Sequence, residues 1–406
     1  MGSALRSPLG QPLGLTLAEQ ETERIASTIE TTIAEFIALR RDLHRHPELS
    51  FNEHRTSSIV AERLASFGFE VTPGLGGTGV VGTLRRGSGE RRLGIRADMD
   101  ALPIQEQTGA AHASVNAGVM HACGHDGHTA ILLTAARYLA ESGSFDGTLQ
   151  LIFQPAEETG KGATKMIDDG LFERFPVDAV FGLHNWPSVD AGHIGCVAGP
   201  AMASVDWARI VVRGKGGHGA QPHETVDAVV VAAHIITALQ TIVARNVNPL
   251  DMAVVTVGSI HGGGAANVIP ETVELKLSVR AFRPDVRELL RERVPAVARA
   301  QAESFGAQAE VEYHLGFPAV INHEDETGFA RAVALDTFGP THVDPAFRPR
   351  TASEDFAFML LARPGSYVFV GNGDGPPLHS PHYDFNDAIL APAATYWVRL
   401  AERFLA

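Results

Sequence analysis

A chain of 406 residues exceeds what one ordinary core organises, so two domains are expected. Hydrophobic content of 45% with 20% charged residues fits a globular protein, and no segment reads as the unbroken apolar length that spans a bilayer. A formal net charge of −14 excludes nucleic acid as the expected partner, because phosphate binding relies on lysine and arginine. The two cysteines, Cys123 and Cys196, cannot build a disulfide framework, and Met1 to Gln20 lacks the apolar core of a signal peptide. A reducing, cytoplasmic setting is expected, with residues 1–20 as a flexible tail.

In chain order, Ile25 to Arg45 reads as one amphipathic helix ended by His46-Pro47-Glu48, and Ser57 to Phe67 as a second. Leu93 to Ala97 is a short strand running into Asp98-Met99-Asp100-Ala101-Leu102-Pro103. Ile131 to Glu141 is a helix preceded by His121-Ala122-Cys123-Gly124-His125-Asp126. Thr148 to Phe153 is a strand leading to Gln154-Pro155-Ala156-Glu157-Glu158. Ala179 to Leu183 is a strand leading to His184, and Ser366 to Val370 one leading to Leu378-His379-Ser380-Pro381. Strands alternating with helices mean α/β organisation, and acid-base or ligand-type residues follow the carboxyl ends of these strands, where open α/β sheets carry their sites.

Between residues 200 and 314 the pattern changes to strand Ser204–Arg213, helix Thr225–Ala244, strand Met252–Ile260, strand Glu271–Phe282, helix Val286–Phe305 and strand Gln308–Tyr313. The order β-α-β-β-α-β is that of a ferredoxin-like sandwich. It divides a larger α/β catalytic domain into a first part, 21–199, and a second, 315–406.

Cys123 and His125, two residues apart across a glycine, can turn a thiolate and an imidazole toward one point. Two other readings fit that pair alone: a histidine-rich helix start capped by Asp126, and a cysteine nucleophile paired with histidine. Glu157-Glu158 favours a metal, because one carboxylate can bind the ion while the other stays a general base for water. Cys123, His125, Glu158, His184 and His379 together give five N, O and S donors, more than a closed tetrahedral site uses; this suggests two divalent metal ions with Cys123 as the bridge. Thiolate and imidazole favour Zn²⁺, while the carboxylate admits Mn²⁺, Co²⁺ or Ni²⁺. Asp100 is placed to hold His125 or another ligand from behind.

These motifs, with Leu43-His44-Arg45-His46-Pro47-Glu48-Leu49-Ser50, resemble the co-catalytic metallopeptidases that include carboxypeptidase G and the aminoacylases. The subgroup is that of hippurate hydrolase, N-acyl-amino-acid amidohydrolases and the plant indole-acetyl-amino-acid hydrolases. The resemblance covers roughly Ala34 to the C-terminus. It implies hydrolysis of N-acyl amino acids by a metal-bridging water that Glu157 activates, and the same five metal ligands. It further implies His218, in Gly216-Gly217-His218-Gly219, as an oxyanion donor reaching a neighbouring subunit's site, and Asn267 and Arg280 as holders of the substrate carboxylate. An exposed strand arginine is an equal reading for Arg280. The insert is implied to act as a lid and to mediate homodimerisation. The alternatives are a carboxypeptidase or dipeptidase, a deacetylase of N-acetyl-diaminopimelate, a metal-binding protein without catalysis, and a thiol hydrolase. The glycine-rich run at Gly214 lacks the Gly-Lys-Ser/Thr ending of a phosphate loop.

Overall fold

The computed structural model describes residues 17–406 and divides into two compact units. Among the described residues, the first comprises 17–198, Asn322–Phe347 and Met359–Ala406; the second comprises Gly199–Ile321 and Arg348–Phe358. The proposed tail at 1–20 lies outside the described residues up to residue 16; from there the chain is already helical, over Leu17–Glu30. The expected single helix from Ile25 is broken, with a second helix over Ile33–Arg45. At the break, the hydroxyls of Thr31 and Thr32 donate to the Thr28 and Ile29 carbonyls. Local bonds of this kind let threonine compete with the helical ladder.

The first unit is built on an eight-stranded mixed sheet. Its strands run in the order Glu70–Leu75, Gly79–Arg86, Gly147–Gln154, Arg92–Asp98, Ala179–Pro187, Gly365–Gly373, Ile194–Cys196 and Val343–Asp344. The four central strands, from Gly147–Gln154 to Gly365–Gly373, pair in parallel. They are buried on both faces, as the near-continuous apolar runs of parallel strands demand. Parallel pairing brings their carboxyl ends to one edge, with Asp98 level with Gln154. The helix His125–Glu141 is buried along nearly its whole length and packs against Ile33–Arg45 and the C-terminal helix Leu390–Phe404.

The second unit has a four-stranded antiparallel sheet in the order Ala253–Gly262, Thr272–Ala281, Ser204–Arg213, Gln308–Leu315. Val273, Leu275, Leu277, Val279 and Ala281 point to a core shared with the helices Ala228–Arg245 and Pro284–Glu303, while Glu274 and Lys276 alternate outward. The Ala228–Arg245 helix corrects one expectation, because it is long and apolar enough, by length and composition, to cross a membrane. Its Val231, Ile235, Leu239 and Ile242 are buried in this core, where an apolar helix face belongs.

Candidate metal centre

The centre forms on the first unit, at the edge where the parallel strands end. Glycine at 124 is required twice over. Its φ is +91°, and a Cβ there would lie 2.3 Å from Asn185 Nδ2 and 2.5 Å from the Tyr383 hydroxyl. The helix begins at His125 itself rather than near Ile131, so Cys123 and His125 flank its N-cap, Gly124. Asp126 therefore sits inside the first turn and caps nothing; its carboxylate accepts from His44 Nδ1 at 2.9 Å. The thiols of Cys123 and Cys196 are both buried and unbridged. Burial pushes the Cys196 thiol up to about 12, which leaves it an inert core residue.

His184 departs from the expected position past a strand end. It lies within Ala179–Pro187, level with Phe369, because pairing with Gly365–Gly373 continues beyond it. Its Nδ1 donates to the Asn185 carbonyl at 2.6 Å, which leaves the Nε2 lone pair 3.4 Å from Cys123 Sγ. His125 follows the same rule: Nδ1 bonds the Asp100 carbonyl at 2.9 Å, so Nε2 is the nitrogen available for ligation. Metal-binding histidines are commonly oriented by such a bond from the other ring nitrogen. His379 has a left-handed backbone, φ +64°, and its N–H donates to the Ala122 carbonyl at 2.8 Å. Its Nε2 lies 3.5 Å from Glu158 Oε1.

Two donor groups emerge, and they share one atom. Cys123, His125 and His184 present ligand atoms within 4.8 Å of one another, and so do Cys123, Glu158 and His379. Glu157 joins His125 and Glu158 in a further group of the same kind. A fourth grouping, Asp98 with His125 and His128, is closed to ions through His128. That ring bonds Asp98 at 2.6 Å through Nδ1, and its Nε2 accepts from the Asn185 amide at 3.0 Å.

Asp100 organises the arrangement. Its carboxylate accepts from Glu157 N at 3.1 Å, Glu158 N at 3.0 Å, His125 Nδ1 at 3.2 Å and the Ser50 hydroxyl at 2.7 Å. Asp98, His128, Asn185 and Ser50 were not singled out from the sequence. The available signal was the first aspartate of Arg96-Ala97-Asp98-Met99-Asp100, two residues before Asp100 at the end of the strand.

The electrostatics suit divalent cations. Burial disfavours charge on His125, yet Asp98 and Asp100 outweigh it and hold the imidazole up at about 10. Burial, reinforced by Asp100 and Asp98, pushes the Glu158 carboxyl up to about 8. Burial and the neighbouring His128 hold His184 well below its ordinary value, and burial with His125 lowers His379. His125 Nε2 and Glu158 Oε1 are buried without a hydrogen-bond partner. A thiolate, imidazoles and a carboxylate, two of them with unbonded atoms, are a soft-to-borderline donor set that divalent ions fit.

The residues implied for substrate lie on the second unit. His218 pairs with Val268 in a two-residue ribbon, and Gly219 N donates to the Asn267 carbonyl at 2.8 Å, so His218 and Asn267 are neighbours and both exposed. The glycines serve close backbone approach: a Cβ on Gly219 would meet the Asn267 backbone at 3.0 Å. Arg280 is half-buried in Thr272–Ala281, and its Nη1 donates to the Thr351 carbonyl at 2.8 Å and the Ser353 hydroxyl at 3.1 Å.

Comparison with known proteins adds a family match and relatives of nearly full length. The model of peptidase family M20/M25/M40 matches residues 94–403. Hippurate hydrolase of Campylobacter jejuni is 43% identical over 371 residues, 91% of this chain and 97% of that protein. N-acetyl-L-cysteine deacetylase of Bacillus subtilis is 42% identical over 392 residues, 96% of this chain and 92% of that protein. Among solved structures, the YXEP protein of Bacillus subtilis, described as a dinuclear metal binding peptidase from the M20 family, superposes with a TM-score of 0.81 at 35% identity. It covers 93% of this chain and 99% of that one.

Proposed function

The chain belongs to the M20/M25/M40 peptidase family and is a metal-dependent amidohydrolase; we propose that it cleaves the amide of N-acyl amino acids with Glu157 as general base. The observation that carries the reading is the sharing of Cys123 between two donor groups while Glu157 stands beside them. Cys123, His125 and His184 would hold one divalent ion, and Cys123, Glu158 and His379 a second, with Zn²⁺, Mn²⁺, Co²⁺ or Ni²⁺ as the candidates. Such ions supply Lewis acidity, polarising a carbonyl and lowering the pKa of water from 15.7 to about 7.

The remaining work falls to side chains. Glu157 removes a proton from the attacking water as its oxygen bonds to the amide carbon. It then gives that proton to the departing nitrogen, so the C–N bond breaks to a carboxylic acid and a free amine. Asp100, through the Glu157 and Glu158 amides, fixes where both carboxylates start. His218 is the oxyanion donor: Ala220 N donates to its Nδ1 at 3.0 Å, so the neutral ring carries its proton on Nε2. Asn267 and Arg280 take the substrate carboxylate. The second unit acts as a lid and as the homodimer contact, using Val229 and Val230 of the Ala228–Arg245 helix and Ile260 of the Ala253–Gly262 edge strand, all exposed.

The test is turnover of acetyl and benzoyl amino acids beside dipeptides by the metal-loaded enzyme and its Glu157→Gln variant. A roughly 10³-fold loss with unchanged metal content supports the assignment. Near-wild-type turnover by the variant would sink it, and preference for dipeptides would redirect the substrate reading to a dipeptidase.

A further inference from the structure

Ala156, the residue immediately before Glu157, is fully buried in the left-handed region at φ +54° and ψ +39°. A side chain at positive φ is disfavoured, and glycine is the residue that adopts such a turn freely. Surrounding structure must therefore impose the conformation. On one side, the Ala156 carbonyl accepts from Gly162 N at 3.2 Å. A Cβ on Gly162 would collide with the Pro155 carbonyl at 1.6 Å, so the turn is as tight as glycine permits.

On the other side stands Glu53, wholly buried, from the segment between the Ile33–Arg45 and His54–Ser66 helices. Its Oε1 accepts from Ala156 N at 2.8 Å, and its Oε2 accepts from the Thr78 hydroxyl at 2.5 Å. A carboxylate buried against an amide and a hydroxyl is costly to desolvate. The bond it makes falls on the residue of this turn whose backbone needs holding. Beyond Ala156 the chain turns so that the Glu157 and Glu158 amides both point at the Asp100 carboxylate.

We propose that Glu53 is a positioning residue that locks Ala156 in its left-handed conformation and thereby aims Glu157 and Glu158. This rests on the reading of Glu157 as general base and Glu158 as ligand. Glu53 touches neither substrate nor ion; it acts through one backbone N–H.

The experiment is a rescue cycle on the metal-loaded full-length enzyme, with kcat and KM measured separately. Glu53→Ala lowers kcat by about 10²-fold at little-changed KM, as small misplacements of a reacting group do. Glu53→Gln, whose amide oxygen still accepts from Ala156 N, keeps most of the activity. Adding Ala156→Gly to Glu53→Ala removes the strain that Glu53 opposes and restores kcat about fivefold or more. A merely structural defect lowers the share of folded, metal-loaded enzyme, read as bound metal per chain, and leaves kcat per loaded site unchanged. A double variant no faster than Glu53→Ala, or a Glu53→Ala enzyme at wild-type kcat, overturns the proposal. Should Glu53→Ala not fold, Thr78→Val with and without Ala156→Gly gives the same comparison, because Thr78 orients the Glu53 carboxyl; absence of rescue there overturns it equally. Failure of the base assignment is read elsewhere, in Glu157→Gln, so the two can be told apart.

Discussion

The two units handle polar groups in opposite ways. In the first, ionisable groups are carried into the interior: Arg40, His44, Glu53, Asp98, Asp100, His121, His125, Asp126, His128, Glu157 and His184 are all buried. In the sheet of the second, the interior is aliphatic apart from the buried Asp206, and the other charges stand outside as ladders, with Arg209 bonded to Glu274 at 2.6 Å and Arg213 to Glu310 at 2.7 Å. Buried charge is expensive unless partnered. Its concentration in one unit marks where stability has been given up for chemistry, while the sandwich is held by ordinary burial of apolar area.

The contrast can be broken at several points. The largest effect is expected from Cys123→Ala, which removes the donor common to both groups. Turnover should fall by roughly 10³-fold or more, about 4 kcal/mol of barrier, with a loss of bound metal by elemental analysis. Full activity would remove the centre from the first unit's account. In the second unit, Asp206 is buried and accepts from Arg287 at 2.6 Å, the Tyr313 hydroxyl at 3.1 Å and Gly316 N at 2.9 Å. Asp206→Ala leaves that arginine without its carboxylate, with the Gly316 carbonyl as its remaining partner, and should cost about 3 kcal/mol in denaturant unfolding, with metal content unchanged. A shift in metal content instead would show the units are not separable in this way.

A third effect depends on pH. Burial disfavours charge on His44, but Asp126 and Glu106 outweigh it and raise the imidazole from 6.5 to about 9. A raised histidine stabilises the fold while protonated, so its contribution is complete below pH 6.5 and is lost as pH rises through 9. The wild type should lose up to about 3 kcal/mol over that window in thermal unfolding. His44→Gln, less stable throughout, should show a flatter profile; parallel profiles would exclude His44 as the cause. The smallest effect belongs to the exposed ladder, where Arg213→Ala should change stability by no more than about 0.5 kcal/mol.

The same contrast explains what the sequence made legible. Alternation such as Val273-Glu274-Leu275-Lys276-Leu277 shows a strand with one wet face, and each strand of the sandwich was found within a few residues. The parallel strands were found from apolar runs with punctuation after them, but a run buried on both faces carries no mark of where pairing stops. That is why His184 was placed past a strand that in fact continues to Pro187. The ligand-type residues were visible because few residue types bind metal and their motifs crowd at strand ends. Their supports were not. Glu53 reaches Ala156 across 103 positions and His44 reaches Asp126 across 82, and no local period records contacts of that length. The segment Arg348–Phe358 shows the same blindness, since it joins the second unit long after the sandwich has closed.

Asp100 carries a consequence for how such a centre can change. Each of its oxygens is committed: Oδ1 to Glu157 N and His125 Nδ1, Oδ2 to Glu158 N and the Ser50 hydroxyl. All four partners are placed to donate, and only a short side chain with two acceptor oxygens answers them. Asparagine would turn an NH₂ toward two donors, and glutamate would overshoot by a methylene. On the proposed reading, the role at 123 asks only for a side chain that offers an ion a lone pair, which several residue types do. The residue that touches no ion is the one with no substitute.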